Sequence, residues 1–147
     1  MKDQLRDRAA EVLRAASAER REAQRAQQQA AGDLSRVVLA AVEGLEALTD
    51  ALDGVQNELP PALRDLLGLS ARAAWERLEG AGVTLDGRVG EPVDLTRHRV
   101  AKTVPGEGAP GSVAAVVTPG VTFNGRRVRD ALVWVAGERR VDGKNRD

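Results

Sequence analysis

Few side chains in this sequence are of the kinds that do covalent chemistry. There is no Cys, which excludes disulfides, thiolate metal sites and a Cys nucleophile. The single histidine, His98, stands between Arg97 and Arg99 with no Ser/Asp arrangement at a recognisable spacing, and is read as a structural or capping residue rather than a general base. Glu43/Glu46 and Asp50/Asp53 are spaced to share a helix face, but on a water-facing surface such pairs are expected to be solvated rather than to form a carboxylate or metal site. Gly106-Glu107-Gly108-Ala109-Pro110-Gly111 satisfies G-x-G-x-x-G. A dinucleotide site needs a helix N-terminus directly after the glycines, to aim amides at the pyrophosphate. Here Pro110 and the Val-rich run Val113–Val117 follow, which reads as a strand, so the glycines are read as a turn. No catalytic residue, cofactor-binding residue or metal ligand is assigned, and an enzyme is not expected.

Arg126, Arg127 and Arg129 follow a hairpin turn, and Arg97 and Arg99 precede a strand. Lys and Arg number 22 against 22 Asp and Glu, and only Trp75, Phe123 and Trp134 are aromatic. A nucleic-acid platform wants net positive charge and stacking aromatics, so a protein partner with an acidic surface fits these cations better. No apolar run approaches ~20 residues and the N-terminus has no apolar core of a signal peptide, so neither a membrane span nor a leader is expected, and the protein is expected to be cytoplasmic.

The 147 residues allow one ordinary domain, or a helical stalk plus one small domain. Residues 2 to 31 read as a helix rich in Ala, Arg, Glu and Gln, with a thin Ala-based stripe. Gly32-Asp33 is expected to break or cap it. The stripe then strengthens: Leu34, Val38, Ala41, Leu45, Leu48, Leu52 and Val55 step by four and three, a heptad seam. Pro60-Pro61 ends one helix and starts another, whose apolar face holds Leu63, Leu66, Leu67, Ala74, Trp75 and Leu78; Gly68-Leu69-Ser70 could split it. Two such helices make a poor core alone, whereas two copies make a four-helix bundle, so a homodimer is expected. Its contacts would be Leu34, Val38, Leu45, Leu48, Leu52, Leu63, Leu67, Trp75 and Leu78. From Val83 the pattern turns strand-like, with runs at 99–104, 112–118, 121–123, 127–129 and 131–136. Asn124-Gly125 between two runs is a strong hairpin signal. The fold class is therefore α+β: a helical stalk and dimerisation bundle over residues 1–83, a small all-β domain over 84–137, and a charged tail over 138–147 expected to be disordered.

The β module carries a resemblance. Gly90-Glu91-Pro92-Val93-Asp94-Leu95-Thr96-Arg97-His98 is similar to the G-E-P-F-D-P-x-x-H segment of the GrpE family, with Leu95 where the family has its second Pro. Pro110-Gly111-Ser112-Val113 and Pro119-Gly120-Val121 through Asn124-Gly125-Arg126 resemble its P-G-T-V and L-N-G-R segments, and Ala131–Ala136 resembles its closing strand. Val38–Leu48 resembles its L-L-P-V-L-D-N-L-E-R-A-L segment. The resemblance implies a homodimeric nucleotide-exchange factor whose β-domain wedges against the ATPase domain of a DnaK-type chaperone and lets ADP leave. The implied chaperone contacts are Arg126, Val93, Leu95, Val117 and Val135, with Arg126 as the polar anchor. The alternative is a GrpE-derived dimerisation or adaptor module without exchange activity.

Overall fold

The computed structural model describes residues 1–106 and 108–138; the tail anticipated at the C-terminus lies, from residue 139 onward, outside the described residues. Helix α1 spans Lys2–Val55 and α2 spans Pro61–Gly80. Six strands follow: β1 (Val83–Asp86), β2 (His98–Pro105), β3 (Val113–Thr118), β4 (Gly120–Phe123), β5 (Arg126–Arg129) and β6 (Ala131–Gly137). The α+β class expected from the sequence is thus the observed one.

Gly32-Asp33 does not interrupt α1. A glycine inside a helix costs about 1 kcal/mol relative to Ala. Ending and restarting a helix instead strands backbone donors and acceptors at both new termini. Asp33 does not cap; it pairs with Arg36 along the same face, and the Ser35 hydroxyl donates to the Ala31 carbonyl at 2.9 Å. Gly68-Leu69-Ser70 likewise leaves α2 whole, with the Ser70 hydroxyl donating back to the Leu66 carbonyl at 2.9 Å. Pro61 opens α2 at its first turn, where a missing N–H is harmless.

The chain forms two compact units, Met1–Val37 and Val38–Asp147. The first is helix from Lys2 onward, and its apolar residues Leu5, Val12, Leu13 and Leu34 are exposed. The second unit holds the rest of α1, α2 and two three-stranded sheets. One sheet is antiparallel in the order β1-β4-β5; the other has the order β2-β6-β3, with β2 parallel and β3 antiparallel to β6. Strand β1 was not among the expected runs: its four residues are too short to show a period, and pairing with β4 makes it a strand.

Each sheet has its own core. Val42 of α1, Val83 of β1 and Val121 of β4 are buried together, with Val38, Leu39, Trp75, Leu78, Phe123 and Val128 packed around them. Burial of each of the three valines contributes about 1.5–3 kcal/mol. Val113, Ala131 and Val133 form the second cluster, joined by Val93 and Val116. Trp134 alternates with Val133 and so lies on the opposite face of its sheet, where the Lys102 ammonium sits 3.7 Å from its ring centre.

Gly82 and Gly120 are required by close approach of their neighbours. Gly82, at φ +98°, ends α2; a Cβ there would stand 2.0 Å from the Asn124 side-chain oxygen. At Gly120, where β3 passes to β4, a Cβ would lie 3.0 Å from the Ala131 nitrogen and 3.2 Å from the Arg129 carbonyl oxygen. Both contacts are to backbone, which cannot step aside. Gly32 has open space around it. Gly32→Ala is therefore expected to stabilise the helix by up to about 1 kcal/mol, and Gly120→Ala to destabilise the β module by about 1–3 kcal/mol. Urea unfolding followed by circular dichroism reads both.

Candidate functional site

The hairpin β4–β5 turns on Asn124 and Gly125, at φ +47° and +78°, the paired left-handed conformation that matches strand twist. It delivers three arginines in four residues, and they take three different roles. Arg126 is exposed and forms no ion pair among the described residues. Arg127 donates to the Thr96 carbonyl and stands 3.7 Å from Asp130. Arg129 is drawn out of solvent onto α1: its guanidinium donates to both carboxylate oxygens of Glu46, at 3.0 and 2.6 Å, and its Nε and Nη2 donate to the Pro119 carbonyl at 3.0 and 2.9 Å. Glu43 adds a carboxylate at 3.8 Å.

Glu46 is therefore not the solvated helix charge expected from its spacing with Glu43. The partner that buries it lies 83 residues away in the chain, so no local pattern could reveal the pair.

The segment 90–98 is a closely bonded loop. Gly90 N–H donates to the Val113 carbonyl at 2.8 Å, Val93 N–H to Gly111 at 3.0 Å, and Val113 N–H returns to Glu91 at 2.8 Å. Asp94 then organises a turn. Its carboxylate accepts the Thr96 hydroxyl at 2.6 Å and the Thr96 N–H at 2.9 Å, and its carbonyl accepts Arg97 and His98 N–H groups. His98 is only 3% exposed. Its Nδ1 accepts the Asp94 N–H at 3.1 Å. Nε2 stands 3.0 Å from Glu91 Oε1, and both atoms are buried. The structural role expected for His98 is the one it has: it locks the loop from beneath.

This frame sets the anticipated contact residues apart. Leu95 is 80% exposed at the tip of the loop, while Val93 turns inward onto Val113, Ala131 and Val133. Val135 is half-buried in β6, in register with Val113 and Thr103. The Arg127 bond to the Thr96 carbonyl ties β5, the strand that begins with Arg126, to the loop that carries Leu95. Val117 belongs elsewhere. It is exposed on β3 and lines an open cleft of about 260 Å³ with Trp75, Leu85, Pro119, Glu46 and Asp50.

The residues anticipated for dimerisation also divide. Val38, Trp75 and Leu78 pack on the core beneath the first sheet. Leu52, Leu67 and Trp75 line an open apolar groove of about 370 Å³ between α1 and α2. Leu34, Leu48 and Leu63 are exposed, and Leu45 is half-buried.

Helices α1 and α2 thus precede a β module that leaves a leucine, Leu95, and a guanidinium, Arg126, exposed. The GrpE family model matches residues 1–137, and this chain belongs to the GrpE family. It is 33% identical over 105 residues to Protein GrpE of Actinobacillus pleuropneumoniae serotype 5b (strain L20), covering 70% of this chain and 53% of the relative. Protein GrpE of Burkholderia lata is 30% identical over 122 residues, covering 78% and 67%. Protein GrpE of Azoarcus sp. (strain BH72) is 30% identical over 87 residues, covering 59% and 46%. The chain thus spans about half the length of several relatives it matches. Among the described residues no helix is long and apolar enough to cross a membrane.

The Thr96 hydroxyl, then the Thr96 N–H, hold the Asp94 carboxyl below its ordinary value of 3.8, with smaller help from the charges of Arg97 and His98. The folded value is depressed, so this stabilisation is present above the ordinary carboxylate range and is lost as pH falls through the lowered value. The protection factor of the Thr96 amide proton, taken against its intrinsic exchange rate at each pH, is expected to fall in that acid window in the wild type and to be near one at all pH values in Asp94→Ala. His98→Ala leaves the Asp94 N–H without its acceptor and should cost about 1–3 kcal/mol in urea unfolding.

Proposed function

We propose that this chain is a nucleotide-exchange factor for a DnaK-type chaperone. Residues 84–137 bind the chaperone's ATPase domain, and residues 1–83 form the stalk and the dimerisation bundle of a homodimer. The observation that carries the reading is that the β module leaves Leu95, 80% exposed on the loop 90–98, and Arg126, exposed and with no ion pair among the described residues, free at its surface. An exposed apolar anchor and a cation able to grip a carboxylate bidentately are the composition of a binding hot spot. Family membership supplies the partner class.

The mechanism is differential binding. The β module prefers the chaperone with its nucleotide cleft open, and binding shifts the population toward that state, so ADP leaves. No bond is made or broken, so the chain acts as a cytoplasmic cofactor of the chaperone and not as an enzyme. The apolar groove between α1 and α2, with Leu52 and Leu67 on its walls, is the surface a second copy would cover.

Release of fluorescent ADP from a DnaK-type chaperone tests the reading. Wild type is expected to accelerate release, and Arg126→Ala or Leu95→Ala to raise the half-saturating concentration about tenfold, the effect of losing one hot-spot contact. Binding without acceleration would leave the adaptor role; absence of binding would overturn both. Sedimentation should give twice the 15.6 kDa chain mass, shifting toward the monomer in Leu52→Asp.

A further inference from the structure

Arg129 uses its guanidinium more completely than any other cation among the described residues. The Glu46 carboxylate takes a two-pronged contact from Nη1 and Nη2, and the Pro119 carbonyl takes Nε and Nη2. Its side chain is 17% exposed and that of Glu46 is 23%. The three groups come from three places: α1, β5, and the corner between β3 and β4 where the chain passes from one sheet to the other. Next to that corner Gly120 is packed against the backbone of Ala131 and Arg129. Two residues before Arg129 on the same strand, Arg127 holds the Thr96 carbonyl at the foot of the Leu95 turn. A continuous polar linkage therefore runs from the helix through β5 to the exposed loop.

The apolar seat under β1-β4-β5 is made of Val, Leu, Phe and Trp side chains. Apolar contact is non-directional, so it holds the sheet down without fixing its angle. A planar guanidinium fork on a carboxylate does fix an angle. A wedge needs that. A module free to swivel on its base fits closed and open chaperone alike, and a ligand of equal affinity for both states shifts nothing however tightly it binds.

We propose that Arg129, clamped to Glu46 and Pro119, is the positioning residue that fixes the β module on the helices and so converts its binding into cleft opening. This rests on the exchange function proposed above. Arg129 touches no chaperone group in this scheme; it acts through the orientation of Leu95 and Arg126.

The test separates affinity from maximal rate. In ADP-release titrations, Glu46→Gln and Arg129→Lys are expected to lower the maximal acceleration at least fivefold while the half-saturating concentration moves less than threefold. Arg126→Ala should show the reverse. A second readout needs no chaperone. The chain has no native Cys, so Ala47→Cys with Ala101→Cys gives a clean spin-labelled pair across α1 and β2. The distance distribution should be narrow in the wild-type background and broad with Glu46→Gln. Should Arg129→Lys fail to fold, Glu46→Gln, which changes only a helix side chain, carries both measurements. Wild-type acceleration with unchanged maximal rates in the folded variants, or an unchanged distance distribution, overturns the positioning role alone. A wild type that binds the chaperone without accelerating release overturns the exchange function, and the positioning role with it.

Discussion

The seat formed by Val42, Val83 and Val121 is the contact on which the second unit of this molecule depends. It is where a helix face, the strand that leaves α2, and the strand that enters the hairpin converge out of water. Without it the β1-β4-β5 sheet has nothing to bury against, since three short strands close no core of their own. The second sheet depends on it at one remove: β4 enters from β3 through Gly120, and β6 follows β5 after a single residue. The loop that displays Leu95 is anchored on that second sheet through Val93 and His98. A hydrophobic contact between three valines thus decides where an exposed leucine stands.

Polar groups then supply what apolar packing lacks, which is direction. His98 holds the Asp94 amide, Arg127 the Thr96 carbonyl, and Arg129 the Glu46 carboxylate and the Pro119 carbonyl. None of the three is at the tip of the module. His98 closes a local turn, Arg127 and Arg129 tie together segments that are distant in sequence, and Leu95 and Arg126 are left exposed.

Where local chemistry decides structure, the sequence is readable. Pro60-Pro61 announces the start of α2, Asn124-Gly125 the hairpin, and the ordered GrpE-like segments the α+β class. Where the deciding contact is distant, it is not. Gly32-Asp33 looks like a helix end, yet the cost of one glycine is smaller than the cost of two new helix termini. Strand β1 exists because β4 lies beside it. Glu46 reads as a solvated partner of Glu43 until Arg129 is folded against it. The apolar faces of the two helices are legible as apolar but not as divided: the spacing that marks Val38 on α1, and Trp75 and Leu78 on α2, does not say that a sheet of the same chain packs on them. Likewise, Val93 and Leu95 alternate in sequence and only the fold sends one inward and the other out.

The two indoles stand in different surroundings, and that makes the molecule optically legible. With no Tyr and a single Phe, its near-ultraviolet signal belongs to Trp75 and Trp134. Trp75 sits among the side chains that join the helices to the first sheet, whereas Trp134 lies under the Lys102 ammonium on the far face of the second. One chromophore therefore reports on the junction and the other on the module, and replacing either by Phe leaves a single-colour probe of the remaining half.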